Sequence, residues 1–292
     1  MFGRFVPMQL VPGKLVLNQL MKLGIALVVI GILHVASGVA LAQTEDPTAD
    51  QIVNRAVARS ERQRVSGVGL EYEATINEFT EHLEGDGTVD KTERQTFKQY
   101  PLEGVLYEEL LTKNGELLDE DDFRDEMESR EEFAEDVRER RVKGEEPLPR
   151  GDNEVDFDQE FVERYDYSLV GEATVAGHEC WIIYLVPSDM DLPSSRNIDS
   201  ALNNSTGHLS ISKDDYGLVQ VEFEMARSAR FWWGLLGTLR DTKGRLEFTR
   251  VAEGVWLPHI VDIQSDLRIL LRGRVRRVVR EWSEYVPVSV AQ

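Results

Sequence analysis

Residues 167–187 read YSLVGEATVAGHECWIIYLVP, and this stretch decides the fold. Residues 167–175 and 178–186 form two strands around the turn Ala176-Gly177. The second strand, CWIIYLV, is nearly all apolar, as expected of a central strand with neighbours on both sides. Just upstream, Phe157, Phe161 and Tyr165 stand four apart and predict a short helix. Downstream, 188–206 is polar, holds Pro193 and Asn203-Asn204, and reads as a long loop.

The same pattern extends in both directions. Residues 208–212 and 218–227 make a hairpin over Asp214-Asp215-Tyr216-Gly217, with Val219, Val221, Phe223 and Met225 on one face. Residues 244–251 and 255–265 make another over Glu253-Gly254, and 269–281 is a last strand. Towards the N-terminus, 48–63 is an amphipathic helix with Ile52, Val53, Ala56 and Val57 as its stripe, capped by Thr48 or Asp50. After Ser66-Gly67, Val68, Leu70, Tyr72, Ala74 and Ile76 alternate with polar or small residues, the period of a strand with one wet face. Gly85-Asp86-Gly87 is a turn, 88–100 and 105–112 are strands, and Asn114-Gly115 is a two-residue hairpin signal. Residues 119–143 are packed with Glu, Asp and Arg around a thin stripe of Phe123, Met127, Ala134 and Val137, and read as a long solvated helix. Residues 144–153, with Pro147 and Pro149, are a linker. Roughly ten strands in hairpin order with a few helices give an α+β fold, mainly antiparallel. The expected form is a curved sheet or unclosed half-barrel covered on one face by helices.

Three stretches carry a family resemblance. The helix ADQIVNRAVARSERQR runs directly into VGLEYEATI; the pair YSLVGEATVAGHECWIIYLVP spaces Gly171 and Gly177; and HLSISKDDYGLVQVEFEM is followed by EGVWLPHIV. This order resembles the periplasmic lipoprotein-carrier fold, the family of the outer-membrane lipoprotein-sorting protein, over most of residues 48–292. The resemblance implies an unclosed barrel, lidded by helices, that holds acyl chains. Leu70, Tyr72, Ile76, Val219, Val221, Phe223 and Met225 are then the expected ligand-facing residues, lining with Val68 one continuous apolar interior. The acidic helix 119–143 departs from the simple carrier pattern.

Residues 23–42, LGIALVVIGILHVASGVALA, carry no charge, follow Lys22, and close on Ala40-Leu41-Ala42 before a polar stretch. A charged start, an apolar run and a small-x-small exit make a signal peptide with cleavage after Ala42. The alternative is an uncleaved anchor, since a spanning helix needs about 20 residues. The expected organisation is therefore a signal peptide over 1–42 and a single domain over 43–292, located in the periplasm or secreted. Residues 1–42 hold Arg4, Lys14 and Lys22 and no acid, so 43–292 carry 30 basic and 53 acidic residues, a formal net charge of −23. Such a chain repels nucleic acid. Its single cysteine, Cys180, cannot form an internal bridge.

No G-x-S-x-G, H-E-x-x-H, P-loop or dinucleotide fingerprint occurs, and no catalytic residue, metal or cofactor is expected. Alternation sends His178 and Cys180 to one strand face, yet zinc needs four convergent ligands, or three and water, and a packed strand is the preferred reading. The acids 119–122 lack the glycine and spacing of a calcium loop. Trp232, Trp233, Leu235 and Leu236, between glycines and near Arg227, Arg230 and Arg240, form either a tip or part of the core. As a tip, residues 231–236 make transient membrane contact or guard a cavity. Arg268, Arg272, Arg274, Arg276, Arg277 and Arg280 form the one basic island, expected to pair with the acidic helix rather than with lipid headgroups. The first reading is a non-enzymatic periplasmic carrier of a lipid or acylated protein. The second is an envelope protein-interaction or sensor protein without a ligand cavity.

Overall fold

The computed structural model describes residues 46–288 except 85, 148–154, 191, 232–236 and 270–271, with the backbone alone at 197, 229–231, 237–240, 267–269 and 272–274. Helix α1, Ala49–Ser66, starts at a capping box: the Thr48 hydroxyl accepts from Gln51 N, and the Gln51 side chain accepts from Thr48 N. It ends at Gly67, whose φ of 68° is the left-handed conformation glycine adopts at no steric cost. The next four residues, Val68–Glu71, form a 3-10 turn rather than the start of a strand. The chain has to swing from helix to sheet there, and Leu70 N bonds back to the Gly67 carbonyl at 2.8 Å.

Strands follow as β1 (Tyr72–Leu83), β2 (Val89–Leu102), β3 (Val105–Lys113) and β4 (Glu116–Leu117). Helix α2 (Glu120–Lys143) and the short α3 (Gln159–Glu163) precede β5 (Tyr165–Val175) and β6 (His178–Pro187). Then come α4 (Asn197–Leu202), β7 (Ser205–Ser212), β8 (Leu218–Met225), β9 (Ala229–Phe231), β10 (Gly237–Ala252), β11 (Val255–Ile269) and β12 (Arg272–Pro287). Asn114-Gly115 and Ala176-Gly177 both turn with positive φ at each central residue, the geometry that matches strand twist.

All strands join one sheet in the order β4-β3-β2-β1-β12-β11-β10-β8-β7-β6-β5, with β9 pairing β10, and every pairing is antiparallel. The end strands β4 and β5 do not meet, so the sheet is unclosed. The apolar strand β6 sits one place from the edge, not at the centre. Its burial comes from α1 instead. The stripe Ala49, Ile52, Val53 and Ala56 packs on Ile183, Leu185, Leu209 and Ile211, with Tyr165. Separate smaller cores gather Ala74, Ile76 and Trp282, and Cys180, Val219 and Trp256.

Helix α2 matches the acidic segment. Asp119 accepts from Asp122 N, Glu120, Asp121 and Asp122 occupy its first turn, and Arg140, Arg141 and Lys143 its last, each end complementing the helix dipole. Ala134 and Val137 are buried, Phe133 meets Tyr107 at 5.0 Å, and Tyr107 donates to Glu126 at 2.7 Å.

Two further differences have tertiary causes. The polar stretch 188–206 contains α4 because Asp199 both caps that helix through Arg196 N (2.8 Å) and meets buried Arg164. The last strand starts at Arg272 and runs to Pro287, because β1 supplies it with partners as far as Tyr72↔Pro287. Among the described residues no helix is long and apolar enough to cross a membrane.

Candidate functional site

Helix α1 is fastened at both ends of its reach. While its stripe packs on β6 and β7, its last turns grip the β10–β11 hairpin. Gln63 Nε2 donates to the Trp256 carbonyl (2.6 Å) and Gln63 Oε1 accepts from Trp256 N (3.0 Å). Arg59 donates to the Gly254 carbonyl (2.5 Å) and pairs with Asp215 (3.5 Å). Burial pushes the Asp215 carboxyl up. Hydrogen bonds from Trp256 Nε1 and Gly217 N, with the charge of Arg59, outweigh that and hold it below the usual carboxylate range.

The face that α1 covers continues beyond it. Register sets Ile183, Leu209, Val221, Leu246 and Val261 in one row, and Leu185, Gly207, Phe223, Gly244, Ile263 and Val278 in the next. Partners across a row, and rows two residues apart, share one side of the sheet. The β6 and β7 ends of both rows lie under α1. Val221, Phe223, Leu246, Val261, Ile263 and Val278 are only partly buried. Phe223 leans across Gly244, where a Cβ would come within 2.6 Å of its ring. Only glycine leaves that space open.

The far border of this apolar floor is the Ile76–Trp282 core, against which Val261 and Phe97 pack. There Arg280, the register partner of both Val261 and Glu78, stands over the Trp282 and Phe97 rings at 5.0 and 5.8 Å. Its guanidinium pairs with Glu78 at 3.3 Å and Glu108 at 2.5 Å. The floor is thus an apolar strip about five strands wide, ending in a neutralised charge cluster.

The residues expected to line one interior are distributed. Val221 and Phe223 belong to the floor. Ile76 is wholly buried in the far core, and Tyr72 nearby meets Tyr285 edge-on at 6.5 Å. Val219 is the extra residue where the β7–β8 register shifts, and is buried with Cys180 and Trp256. Met225 is buried at the end of β8 opposite Ser205, and Val68 and Leu70 lie in the 3-10 turn. Trp232, Trp233, Leu235 and Leu236 lie outside the described residues, as do residues 23–42. Leu246, Ile263 and Val278 were not expected in the site. The alternation Leu246-Glu247-Phe248 and Val261-Asp262-Ile263 was the available signal.

The basic island does not meet the acidic helix at its described positions. Arg277 makes two bonds to Asp262 (2.9 and 2.7 Å) and pairs with Glu81 (3.3 Å), and Arg280 turns to strand carboxylates. Strand partners in register are closer than α2, which docks on β3 instead. The side chains of Arg268, Arg272 and Arg274 lie outside the description. Arg277 and its hydrogen bonds hold the Asp262 carboxyl below its ordinary range. Cys180 donates to the His178 carbonyl at 3.3 Å, and burial pushes its thiol up to about 11. His178 packs edge-on against Trp256 at 4.7 Å. Among the described residues no three His, Cys, Asp or Glu side chains converge as metal ligands.

No protein-family model matches the chain, and no curated protein matches it. Three solved structures illustrate what it is similar to. A DUF1329 family protein from Desulfovibrio piger shares 12% identity at a TM-score of 0.28, over 82% of this chain and 94% of that one. A LolA superfamily protein from Nitrosomonas europaea shares 12% at 0.29, over 84% and 96%. A chain of the Pseudomonas aeruginosa MucA/MucB complex shares 13% at 0.24, over 83% and 99%.

Proposed function

We propose that this is an exported, non-enzymatic carrier or binding protein for a lipid or acylated protein, working in the periplasm. One observation carries the reading: the apolar rows that α1 covers over β6 and β7 run on past Val221, at the edge of that core, as the partly buried Phe223, Leu246, Val261, Ile263 and Val278. Partly exposed apolar side chains gathered on one face are what an acyl chain lies against. Each methylene removed from water contributes about 0.8 kcal/mol, so a chain of a dozen carbons gains several kcal/mol even when half covered. Export rests on the apolar run 23–42 and its Ala40-Leu41-Ala42 exit.

Displacement of a bound fluorescent fatty acid tests the reading. Leu246→Asp and Ile263→Asp should each abolish binding while thermal stability falls only modestly, because neither side chain is fully buried. Saturable binding that survives both substitutions, or no saturable binding by the parent protein, would overturn it.

A further inference from the structure

The apolar floor has a definite outline. Val221, Leu246 and Val261 form one line of it, and Phe223, Gly244, Ile263 and Val278 the other. The two lines stand two residues apart along each strand, about 7 Å. From β8 to β12 the second line crosses three strand spacings, about 14 Å. The floor is therefore longer across the strands than along them.

Each border is occupied. Two residues beyond the second line stand Thr242, Ser265, Arg276 and His82, joined as the register partners Thr242↔Ser265, Ser265↔Arg276 and His82↔Arg276. The period of two places them on the floor's side of the sheet. Thr242 is buried, Ser265 is partly buried and Arg276 is exposed. Beyond the first line, Trp282 fills the space with Ala74 and Ile76 and packs against Val261. At the β8 end, Val221 lies against the core that α1 covers. At the β12 end, Val278 faces Thr80 on β1, and Arg280 faces Glu78.

Two lines of side chains flank one furrow. A second acyl chain beside the first needs a third apolar line, and that place holds two hydroxyls, an imidazole and a guanidinium. Laying methylenes over Ser265 and Arg276 removes water from polar groups and offers no hydrogen bond in return. A chain turned along the strands leaves apolar ground after about 7 Å. The two ends of the furrow also differ, being apolar beside α1 and polar at β1. We propose that the floor takes one acyl chain at a time, laid across the strands with its methyl end toward α1 and its polar end toward Arg280. It thereby selects single-chain amphiphiles and gains little from the second chain of a two-chain lipid. This rests on the reading of the floor as an acyl-chain surface and narrows the ligand of that surface.

The test compares monooctanoyl and dioctanoyl glycerophosphocholine, each below its micelle concentration, as competitors of a bound fluorescent fatty acid. Headgroup and chain are the same, so the ratio of the two affinities reads the second chain alone. The two-chain lipid should compete no more than about threefold better, whereas a second chain even half covered would improve it about a hundredfold. Ser265→Leu combined with Arg276→Leu extends the apolar ground by one line on β11 and β12. That variant should raise the two-chain preference about tenfold or more; if it fails to fold, the parent ratio decides alone. An octanoylated hexapeptide separates the sources of the chain: tighter binding than the monooctanoyl lipid assigns it to an acylated protein, and binding no tighter assigns it to a lipid. A parent preference of about tenfold or more for two chains, or an unchanged preference in the folded variant, would overturn the proposal and leave the acyl-chain reading standing. Saturable binding of no acyl compound by the parent would overturn both.

Discussion

Arg164 and Asp199 meet at 2.6 Å with side chains 1% and 0% exposed, which places a fully buried ion pair between β5 and α4. Arg164 also bonds Glu160 (2.6 Å) and Asn203 (2.8 Å), so one guanidinium ties α3, α4 and the start of β5 together. Breaking a buried pair from one side leaves an uncompensated charge, which costs about 3–5 kcal/mol. Arg164→Ala should lose that much, read by denaturant unfolding.

Asp199 adds a pH dependence. Burial raises its carboxyl, but the Arg196 backbone N–H and the charges of Arg164 and Arg196 outweigh that and hold it below the usual range. A depressed carboxylate stabilises the fold above its unfolded value near 4 and stops doing so as pH falls through the folded value. Asp199→Asn should therefore be less stable at pH 7 and show a shallower acid limb below about pH 4. An unchanged acid limb would show that other carboxylates govern acid unfolding.

Gly217 tests the fastening of α1 from another side. A Cβ at this residue would sit 2.1 Å from Trp256 Nε1, and that indole is 4% exposed and bonded to Asp215 at 2.9 Å. The ring cannot swing aside without losing those contacts. Gly217→Ala should cost about 1–3 kcal/mol, with altered tryptophan fluorescence. A variant that melts with the parent would mean that the indole has room to move.

Cys180 should be inert in the folded protein. Its side chain is wholly buried and its thiol is pushed up to about 11, so at pH 8 roughly a thousandth is thiolate. Labelling by a water-soluble disulfide reagent should be negligible natively and complete in denaturant. Rapid native labelling would show local opening of β6.

Processing gives the last prediction. Intact mass of exported protein should place its amino terminus at Gln43, after the Ala40-Leu41-Ala42 exit. A mass that retains residues 23–42 would favour an anchored protein.

Local pattern made much of the fold legible. Thr48 and Asp119 mark two helix starts, Asn114-Gly115 and Ala176-Gly177 mark two hairpins, alternation marks β1 and β8, and a nearly unbroken apolar run marks β6. What escaped depends on contacts distant in sequence. Helix α4 exists where Arg164, 35 residues upstream, neutralises Asp199. The alternation Val68–Leu70–Tyr72 looked like a strand, but Gly67 and the turn toward the sheet made its first half helical. The site was half legible for the same reason. Alternation tells which residues share a face along one strand. Only register brings Leu246, Ile263 and Val278 beside Phe223.

The pairing of β1 with β12 governs how such a chain can be made. Its partners, from Leu83↔Val275 to Tyr72↔Pro287, stand about 190 to 215 residues apart. The meander β1 to β4 joins the rest of the sheet by that ladder alone. A chain delivered amino end first therefore holds a finished meander with an open edge until β12 arrives. Closing so long a loop is slow, and an unpaired edge invites foreign strands. Synthesis halted before residue 272 would leave an adhesive fragment rather than a smaller version of the protein. An escort that shields strand edges during delivery would matter more to this chain than one that shields its core.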